Sequence, residues 1–363
     1  MTNKLVFENL KHRPVRTLIG IVVIGIQVTL ILTLVGLKEG TLSDQAARAS
    51  GVGADIMVRP PTSNVVTMSV SMDARIASKI DQQPGVKFST GVLQQGTDLF
   101  NYVTGVDLAE FNKVSGGFRF LSGATFQCPN DVVVDDFYAK QHRVRVGDTI
   151  MLLNRPWHVS GIYQSGMLTR VVVPLATLQE LTASTGKVTM IYVKLDDPSK
   201  IEQVKSSLQG ALKDYRIYSM EEFTSLLSVS NIPLLNGFIW VVIGLGVVVG
   251  FLAILLSMYT AVLERTREIG VLKALGASPA YILNILLREA ILIAIAGAIF
   301  GILLSYVTRF LIHNVVPASL IKAIVPVWWP IAAAIAIGGA LLGALGPGLK
   351  AARQDAIEAL AYE

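Results

Sequence analysis

The sequence predicts an α-helical integral membrane protein with four transmembrane helices and an α+β extracytoplasmic domain inserted between helices 1 and 2. Three observations carry this reading. Hydrophobic residues make up 52% of the 363 and charged residues only 16%, against about 25% charged in soluble domains. Four apolar blocks each approach the ~20 residues a helix needs to cross ~30 Å of hydrocarbon, and none alternates as a barrel strand would. A stretch of ordinary mixed composition, residues 38–222, separates the first block from the other three.

Residues 1–16 read as a cytoplasmic amphipathic helix, with Leu5, Val6 and Leu10 on one face, basic residues on the other, and Pro14 breaking it before the first span. Residues 17–37 carry no charge. Lys4, Lys11, Arg13 and Arg16 precede them as in a signal peptide. The block is longer than a typical h-region, however, and Val35 to Glu39 makes a poor cleavage site, so it reads as a retained helix. Gly40 to Arg48 keeps helical character and extends that helix beyond the membrane.

The outer domain, 38–222, starts with a strand over Ala54 to Arg59. A helix is expected over Met72 to Gln82, and strands over Val132 to Asp135, Thr149 to Leu153, Trp157 to Tyr163 and Val171 to Val173. A helix over Leu175 to Ala183, a strand over Val188 to Leu195, a helix over Ile201 to Leu212 capped by Asp197 or Ser199, and a last strand over Ile217 to Ser219 follow. The first and last strands are expected to be neighbours, which closes the domain before the chain returns to the membrane.

Residues 223–263 contain no Asp, Glu, Lys or Arg. Their first part, to Gly237, mixes Leu and Phe with Ser, Thr and Asn and reads as a stalk extension of helix 2 with a bend at Pro233. A charged loop follows at 264–282, then helix 3 at 283–308, a short outer loop at 309–326, helix 4 at 327–349 and a tail at 350–363. Lys and Arg gather in the N-terminal segment, in the 264–282 loop and at Lys350 and Arg353. Four spans place those three regions on one side, so both termini are expected in the cytoplasm. The net charge of +5 reflects this topology, and nothing suggests nucleic-acid binding.

Chemistry is conspicuous by its absence. No phosphate-cradling Gly-x-x-x-x-Gly-Lys-Ser/Thr loop, no His-Glu-x-x-His, no Gly-x-Ser-x-Gly and no paired-cysteine metal spacing occurs. His12, His142, His158 and His313 are scattered. Asp135 and Asp136 are adjacent at a strand end, where neighbours point apart, and read as a solvated turn. Cys128 is the single cysteine and reads as a small, partly buried residue. Met57, Met68, Met72 and Met151 could ligate haem iron, but adaptable packing suits each better. No metal ligand set and no substrate-binding residue stands out. The spans lack midplane charges, which argues against an ion-coupled carrier.

Two features remain. Small-residue pairs recur at Gly246/Gly250 in helix 2, Gly297/Gly301 in helix 3 and Gly339/Gly343 in helix 4, suiting a tightly packed, possibly dimeric bundle. The segment Glu264 to Ser278 packs five charges into its first ten residues. Glu264, Arg267 and Glu268 stand at i, i+3 and i+4, so one helical face offers both signs. Gly270 and Gly276 permit close approach and a turn back into the membrane. Spacing alone leaves two roles open, a surface anchor facing lipid or a docking element for a soluble partner.

The run Glu264-Arg265-Thr266-Arg267-Glu268-Ile269-Gly270-Val271-Leu272-Lys273-Ala274-Leu275-Gly276-Ala277 resembles a family pattern: Glu-Arg-x-(Arg/Lys)-Glu-(Ile/Phe)-(Gly/Ala)-x-(Leu/Met)-(Arg/Lys)-Ala-(Leu/Ile)-Gly-Ala. It marks permease subunits of the type VII ABC superfamily, the group of MacB, FtsX and the lipoprotein-releasing permeases. The tail Ala351 to Leu360 resembles the family's ending, with Ala356 where Pro is usual. Val132 to Gly161 is similar to the MacB-like periplasmic core, and residues 236–356 to the FtsX-like permease domain.

The resemblance implies a split permease without a fused ATPase in the bacterial inner membrane. Glu264, Arg265, Arg267, Glu268, Gly270, Lys273 and Gly276 would form a coupling helix seated on a separate ABC ATPase. The expected partners are two ATPase copies, which would bring ATP and Mg, a second permease copy and membrane lipids, with room in the family's pattern for a periplasmic adaptor. This chain itself is expected to carry no cofactor and no enzymatic site. The implied work is ATP-driven mechanotransmission or efflux of an amphiphilic cargo: a lipid, glycolipid, lipoprotein, haem, hydrophobic drug or peptide. The alternative is an FtsX-type subunit that signals to an extracytoplasmic cell-wall hydrolase. A membrane-anchored enzyme would need a catalytic constellation that the sequence does not display.

Overall fold

The computed structural model describes residues 14–61, 63, 70–97, 102–226, 233–315 and 321–354. The amphipathic segment expected over 1–16 lies outside them up to residue 13, as do Met68, His12 and the tail from Asp355 onward. The chain divides into a helical unit, Met1–Glu39 with Pro233–His313 and Lys322–Glu363, and an α/β unit made chiefly of Gly40–Ile232.

The helical unit has four long apolar helices: α1 (Pro14–Ser50, to residue 39), α8 (Pro233–Glu264), α10 (Pro279–Val315) and α11 (Trp328–Arg353). All four are long and apolar enough to cross a membrane. The 37 residues of α1 span about 55 Å at 1.5 Å per residue, well beyond ~30 Å of hydrocarbon. Pro14 and Pro233 are the first described residues of α1 and α8, and the bend expected at Pro233 falls at the edge of the described residues.

Glycine decides how closely these helices approach. A Cβ on Gly301 would lie 2.6 Å from the Gly25 carbonyl oxygen and 2.7 Å from Val28 Cβ, so α10 meets α1 backbone to backbone. The Thr29 hydroxyl lies 2.7 Å from the Gly25 oxygen and 3.0 Å from the Gly301 oxygen, adding a polar tie there. On the other side, α11 buries Ala332, Ala336, Ala340 and Ala344 in one stripe. A Cβ on Gly343 would come within 2.7 Å of the Phe251 carbonyl oxygen of α8. Gly246 and Gly250 of α8 instead receive Gln27 of α1. Each predicted glycine pair therefore sits at a contact inside this chain, although Gly339 has only ordinary contact distances.

The α/β unit is a ten-stranded mixed sheet with helices on its faces. Its order is β12 (Arg216–Ser219), β1 (Ile56–Arg59), β11 (Met190–Leu195), β3 (Val86–Gly96), β4 (Tyr102–Val106), β9 (Val171–Pro174), β6 (Asp131–Asp135), β8 (Arg155–Tyr163) and β5 (Phe120–Gly123). β7 (Thr149–Leu152) pairs with β8, and β2 (Met72–Asp73) with β10 (Lys187–Val188) form a separate ribbon. First and last strands are neighbours, with Ile56 opposite Ser219. Only β4/β9 and β6/β8 run parallel.

Side chains alternate across this sheet as strand geometry requires. Ile56, Val58, Ile191 and Val193 enter one core under α2 (Ile76–Asp81) and α6 (Ile201–Ala211). Met57, Met190 and Tyr192 point to the opposite core, where Phe111 and Val114 of α3 (Leu108–Ser115) and Ala49 of α1 pack. A third core forms around Trp157, Val132, Val134, Val173 and Leu178. Burying each such aliphatic side chain is worth roughly 1.5–3 kcal/mol.

Several local expectations are corrected. The helix expected from Met72 starts only at Ile76, because Met72 and Asp73 pair with β10. Phe223 belongs to a short helix, α7 (Met220–Leu226), whose buried Phe223 faces the outer-domain core; residues 227–232 of the expected stalk lie outside the described residues. Asp197 caps a 3-10 turn, Pro198–Lys200, ahead of α6. Cys128 is exposed. Asp135 is no solvated turn: it is buried, accepts the Tyr138 N–H at 2.7 Å to cap α4 (Asp136–His142), and pairs with Arg170. Met57 and Met72 fill different cores and Met151 is exposed, so packing explains the first two.

Candidate coupling site

The charged loop folds into a helix, α9 (Thr266–Ala274), joined to α8 through the single residue Arg265. Arg265 leaves helical geometry at φ −114°, and the Thr266 hydroxyl lies 3.0 Å from the carbonyl oxygens of both Val262 and Leu263, bonding back across the break. At its far end the Gly276 and Ala277 N–H groups donate to the Lys273 and Leu272 carbonyls, with Gly276 at φ +94°. That is a glycine stop of the left-handed type. Ser278 then caps α10 by accepting the Tyr281 N–H at 3.2 Å, with Pro279 at its first position.

Three contacts mount α9 on the bundle. Ile269 packs with Val262, Ile282, Leu286 and Ala351 in a small core. The Lys273 ammonium donates to the Gln354 carbonyl just beyond α11. The Arg265 guanidinium is buried, 3.4 Å from Glu289 of α10, and Glu289 also accepts from Arg16 at 2.7 Å. Arg16 lies 3.8 Å from Glu264 as well, so two cations and two carboxylates form one cluster.

The residues expected to meet a partner thus divide. Arg267 and Glu268 are exposed, Glu264 is exposed beside Arg16, and Gly276 is exposed with open space around its Cα. Lys273 is half-buried and engaged with Gln354. Arg265 and Gly270 face inward. Sequence reasoning missed two exposed apolar residues on α9 and its end, Val271 at 45% and Leu275 at 81% exposed. With Arg267, they stand at i, i+4 and i+8 and form one stripe. Glu289, beside Arg288 at the cytoplasmic mouth expected for helix 3, was given no role from sequence, although a carboxylate at the edge of an apolar span is a signal in its own right.

Beside α9, a cleft of about 350 Å³ is lined by Ile269, Leu272, Ile282, Ile285 and Leu286, with Arg265 and Glu268 as its charged members. Chemically the arrangement suits docking. An apolar stripe flanked by charges of both signs offers burial and orientation, the combination found at interface anchor points. Among the described residues, His142 stacks on Tyr138 and His158 lies 3.4 Å from Asp131, and no group of His, Cys, Asp and Glu could hold a metal ion.

A family model described as the MacB-like periplasmic core domain matches residues 17–211, and one described as the FtsX-like permease C-terminal matches residues 240–356. Among curated relatives, the macrolide export ATP-binding/permease protein MacB of Escherichia coli strain K12 is 28% identical over 395 residues, covering 97% of this chain and 59% of the relative. The MacB of Nitrobacter winogradskyi is 27% identical over 402 residues, covering 98% and 59%. The chain spans about three fifths of the length of the curated relatives it matches. Two solved structures are similar. The periplasmic region of MacB from Actinobacillus actinomycetemcomitans has TM-score 0.37 and 17% identity, over 49% of this chain and 94% of that one. The extracellular domain of the noncanonic ABC-type transporter YknZ from Gram-positive bacteria has TM-score 0.35 and 13% identity, over 46% and 99%.

Proposed function

Because the chain belongs to the family of ABC permeases with a MacB-like periplasmic core and an FtsX-like C-terminal domain, we propose that it is the permease subunit of an ATP-driven assembly that moves an amphiphilic cargo. In this reading α9 seats in a groove of an ABC ATPase. Two permease copies and two ATPases make the working unit, with ATP and Mg on the ATPase. Both termini and α9 face the cytoplasm of the bacterial inner membrane, and the α/β unit lies outside it.

The observation that carries the reading is the outward stripe of α9. Val271 and Leu275 are exposed beside Arg267 and Glu268, while Ile269, Arg265 and Lys273 tie the same helix to the bundle. A surface anchor would need only the apolar side chains. A helix that transmits force needs an outer face that grips and an inner face that holds. ATP binding would draw α9 together with the ATPase, and the spans would carry that motion outward. The MacB relatives are named for macrolide export, which supports a hydrophobic drug as cargo; lipids, glycolipids, lipoproteins, haem and peptides are the other amphiphiles this proposal includes.

The test is affinity purification of the tagged chain from its native membrane in mild detergent. A stoichiometric ATPase is expected, and it is expected to be lost with Leu275→Glu and with Glu268→Lys, while both variants still insert. An ATPase that stays bound to both variants, or none with the parent chain, would sink the assignment.

A further inference from the structure

We propose that Glu289 is a positioning residue that carries the movement of α9 to the root of α1. The proposal rests on α9 being the ATPase-docking helix. Glu289 has no solvent exposure, and its two carboxylate oxygens are divided between two elements: Oε1 accepts from Arg16 at 2.7 Å and Oε2 lies 3.4 Å from Arg265. Arg265 is the joint between α8 and α9, and Arg16 lies at the start of the described part of α1. One side chain on α10 therefore holds the base of the coupling helix and the start of the described part of α1.

The chemistry makes this tie discrete. A carboxylate buried in a helix bundle is costly unless cations pair it, so losing either arginine leaves charge poorly compensated in a medium that penalises it. Small displacements of Arg265 are then followed by Glu289 and Arg16. Apolar packing at the same place would let the helices slide. A second carboxylate, Glu264, stands 3.8 Å from Arg16 at the end of α8. Arg16 is therefore held from the end of α8 as well as from α10, so a turn of the α8–α9 joint reaches it through both carboxylates. The neighbouring positions of α10, Ala290, Ile293 and Ala294, are apolar core. A carboxylate there is therefore not needed to fill space.

The test uses the full complex, the tagged chain with its co-purified ATPase, in lipid nanodiscs. With Cys128→Ser, labels at Lys38→Cys and Leu311→Cys report the distance between the outer parts of α1 and α10. Labelled chains are mixed with excess unlabelled ones so that the distance is read within one chain. ATP with Mg and vanadate is expected to shift it in the parent and in Glu289→Asp. In Glu289→Gln, which keeps size and loses charge, the ATPase is expected to stay bound and hydrolyse ATP while the shift is lost. Arg16→Gln leaves the Arg265–Glu289 pair in place and gives the same reading if Glu289→Gln does not accumulate.

A shift in Glu289→Gln equal to the parent's overturns the relay, and so does a parent that binds and hydrolyses without any shift; docking by α9 stands in both cases. A parent that retains no ATPase overturns the docking reading and the relay with it. A purely structural Glu289 would change the melting temperature and leave the ATP-dependent shift intact.

Discussion

The Arg170 guanidinium stands 3.0 Å from Asp44 of α1 and 3.2 Å from Asp135 at the end of β6, with the Phe137 ring 3.9 Å away. Within the α/β unit this ties the last turns of α1 to β6 and the start of β9. The Arg48 carbonyl accepts the Leu168 N–H at 3.2 Å alongside it, and a Cβ on Gly51 would lie 1.7 Å from the Gly166 oxygen. Arg170→Met would leave Asp135, 1% exposed, without its guanidinium. The expected cost is about 3–5 kcal/mol, the range for breaking one side of a buried pair. Adding Asp135→Asn should recover a large part of it. Thermal melts of the solubilised chain for both single variants and the double would measure the coupling; additive losses would contradict it.

Asp136 gives the α/β unit an acid limit. Burial pushes its carboxyl up, but hydrogen bonds from Lys140 at 2.6 Å and the Ser165 N–H at 3.0 Å outweigh burial and hold it at about 2, against 3.8 when free. Between those values the unfolded chain binds more protons than the folded one, so stability rises with pH. The contribution is present above about pH 4 and lost as pH falls toward 2. Asp135 has the opposite sign, since burial raises it despite Arg170. Asp136→Asn should therefore flatten the fall of the melting temperature between about pH 4 and 2. A parent-like slope in that variant would contradict the assignment.

Those two neighbouring carboxylates illustrate what was legible in the sequence. That Asp135 and Asp136 point apart followed from strand geometry; that one is buried did not, because its partner is 35 residues away. The four apolar helices, the helix inside the 264–278 loop and the pairing of first and last strands were legible, since periodicity, charge and chain direction are local signals. The face that α9 presents was not. Reading Glu264, Arg265, Arg267 and Glu268 as one charged set ignored Arg265's partner Glu289, 24 residues on, and Arg16, 273 residues from Glu289. Val271 and Leu275 were given no role, because periodicity does not say which side of a short helix faces out.

The glycine pairs of the bundle are not equivalent, and substitution should rank them. Gly301→Ala and Gly343→Ala each drive a methyl to within 2.6–2.7 Å of a backbone carbonyl on the adjoining helix. Backbone cannot swing aside, so a loss of about 1–3 kcal/mol is expected for each. Gly250→Ala meets only the end of Gln27, at 2.0 Å from Oε1, and Gly246→Ala reaches Gln27 Cγ at 3.4 Å. Side-chain movement relieves the first and the second is ordinary contact. Gly338→Ala, with nothing within 4 Å, should stabilise the helix by about 0.5–1 kcal/mol. Melting temperatures of the five variants in one detergent test the order; equal losses at Gly246 and Gly301 would refute close helix approach as the reason for glycine.

Lys322 makes the last tie in the helical unit. Its ammonium is buried and lies 2.9 Å from the Thr33 hydroxyl, 2.8 Å from the Ser305 carbonyl and 2.7 Å from the Thr308 hydroxyl, which uses all three donors on α1 and α10. The next residue's N–H, Ala323, donates to the Gly36 carbonyl at 2.9 Å. The chain that leads into α11 is thus pinned to both neighbouring helices by hydrogen bonds to neutral oxygens. Because no carboxylate takes part among these contacts, charge reversal cannot restore the tie and a neutral donor can restore only part of it. Lys322→Met should cost about 1–3 kcal/mol by stranding buried acceptors, and Lys322→Gln less. If Lys322→Met melts at the parent's temperature while Gly301→Ala does not, helix packing alone holds this end of the bundle and the ammonium contributes nothing to its stability.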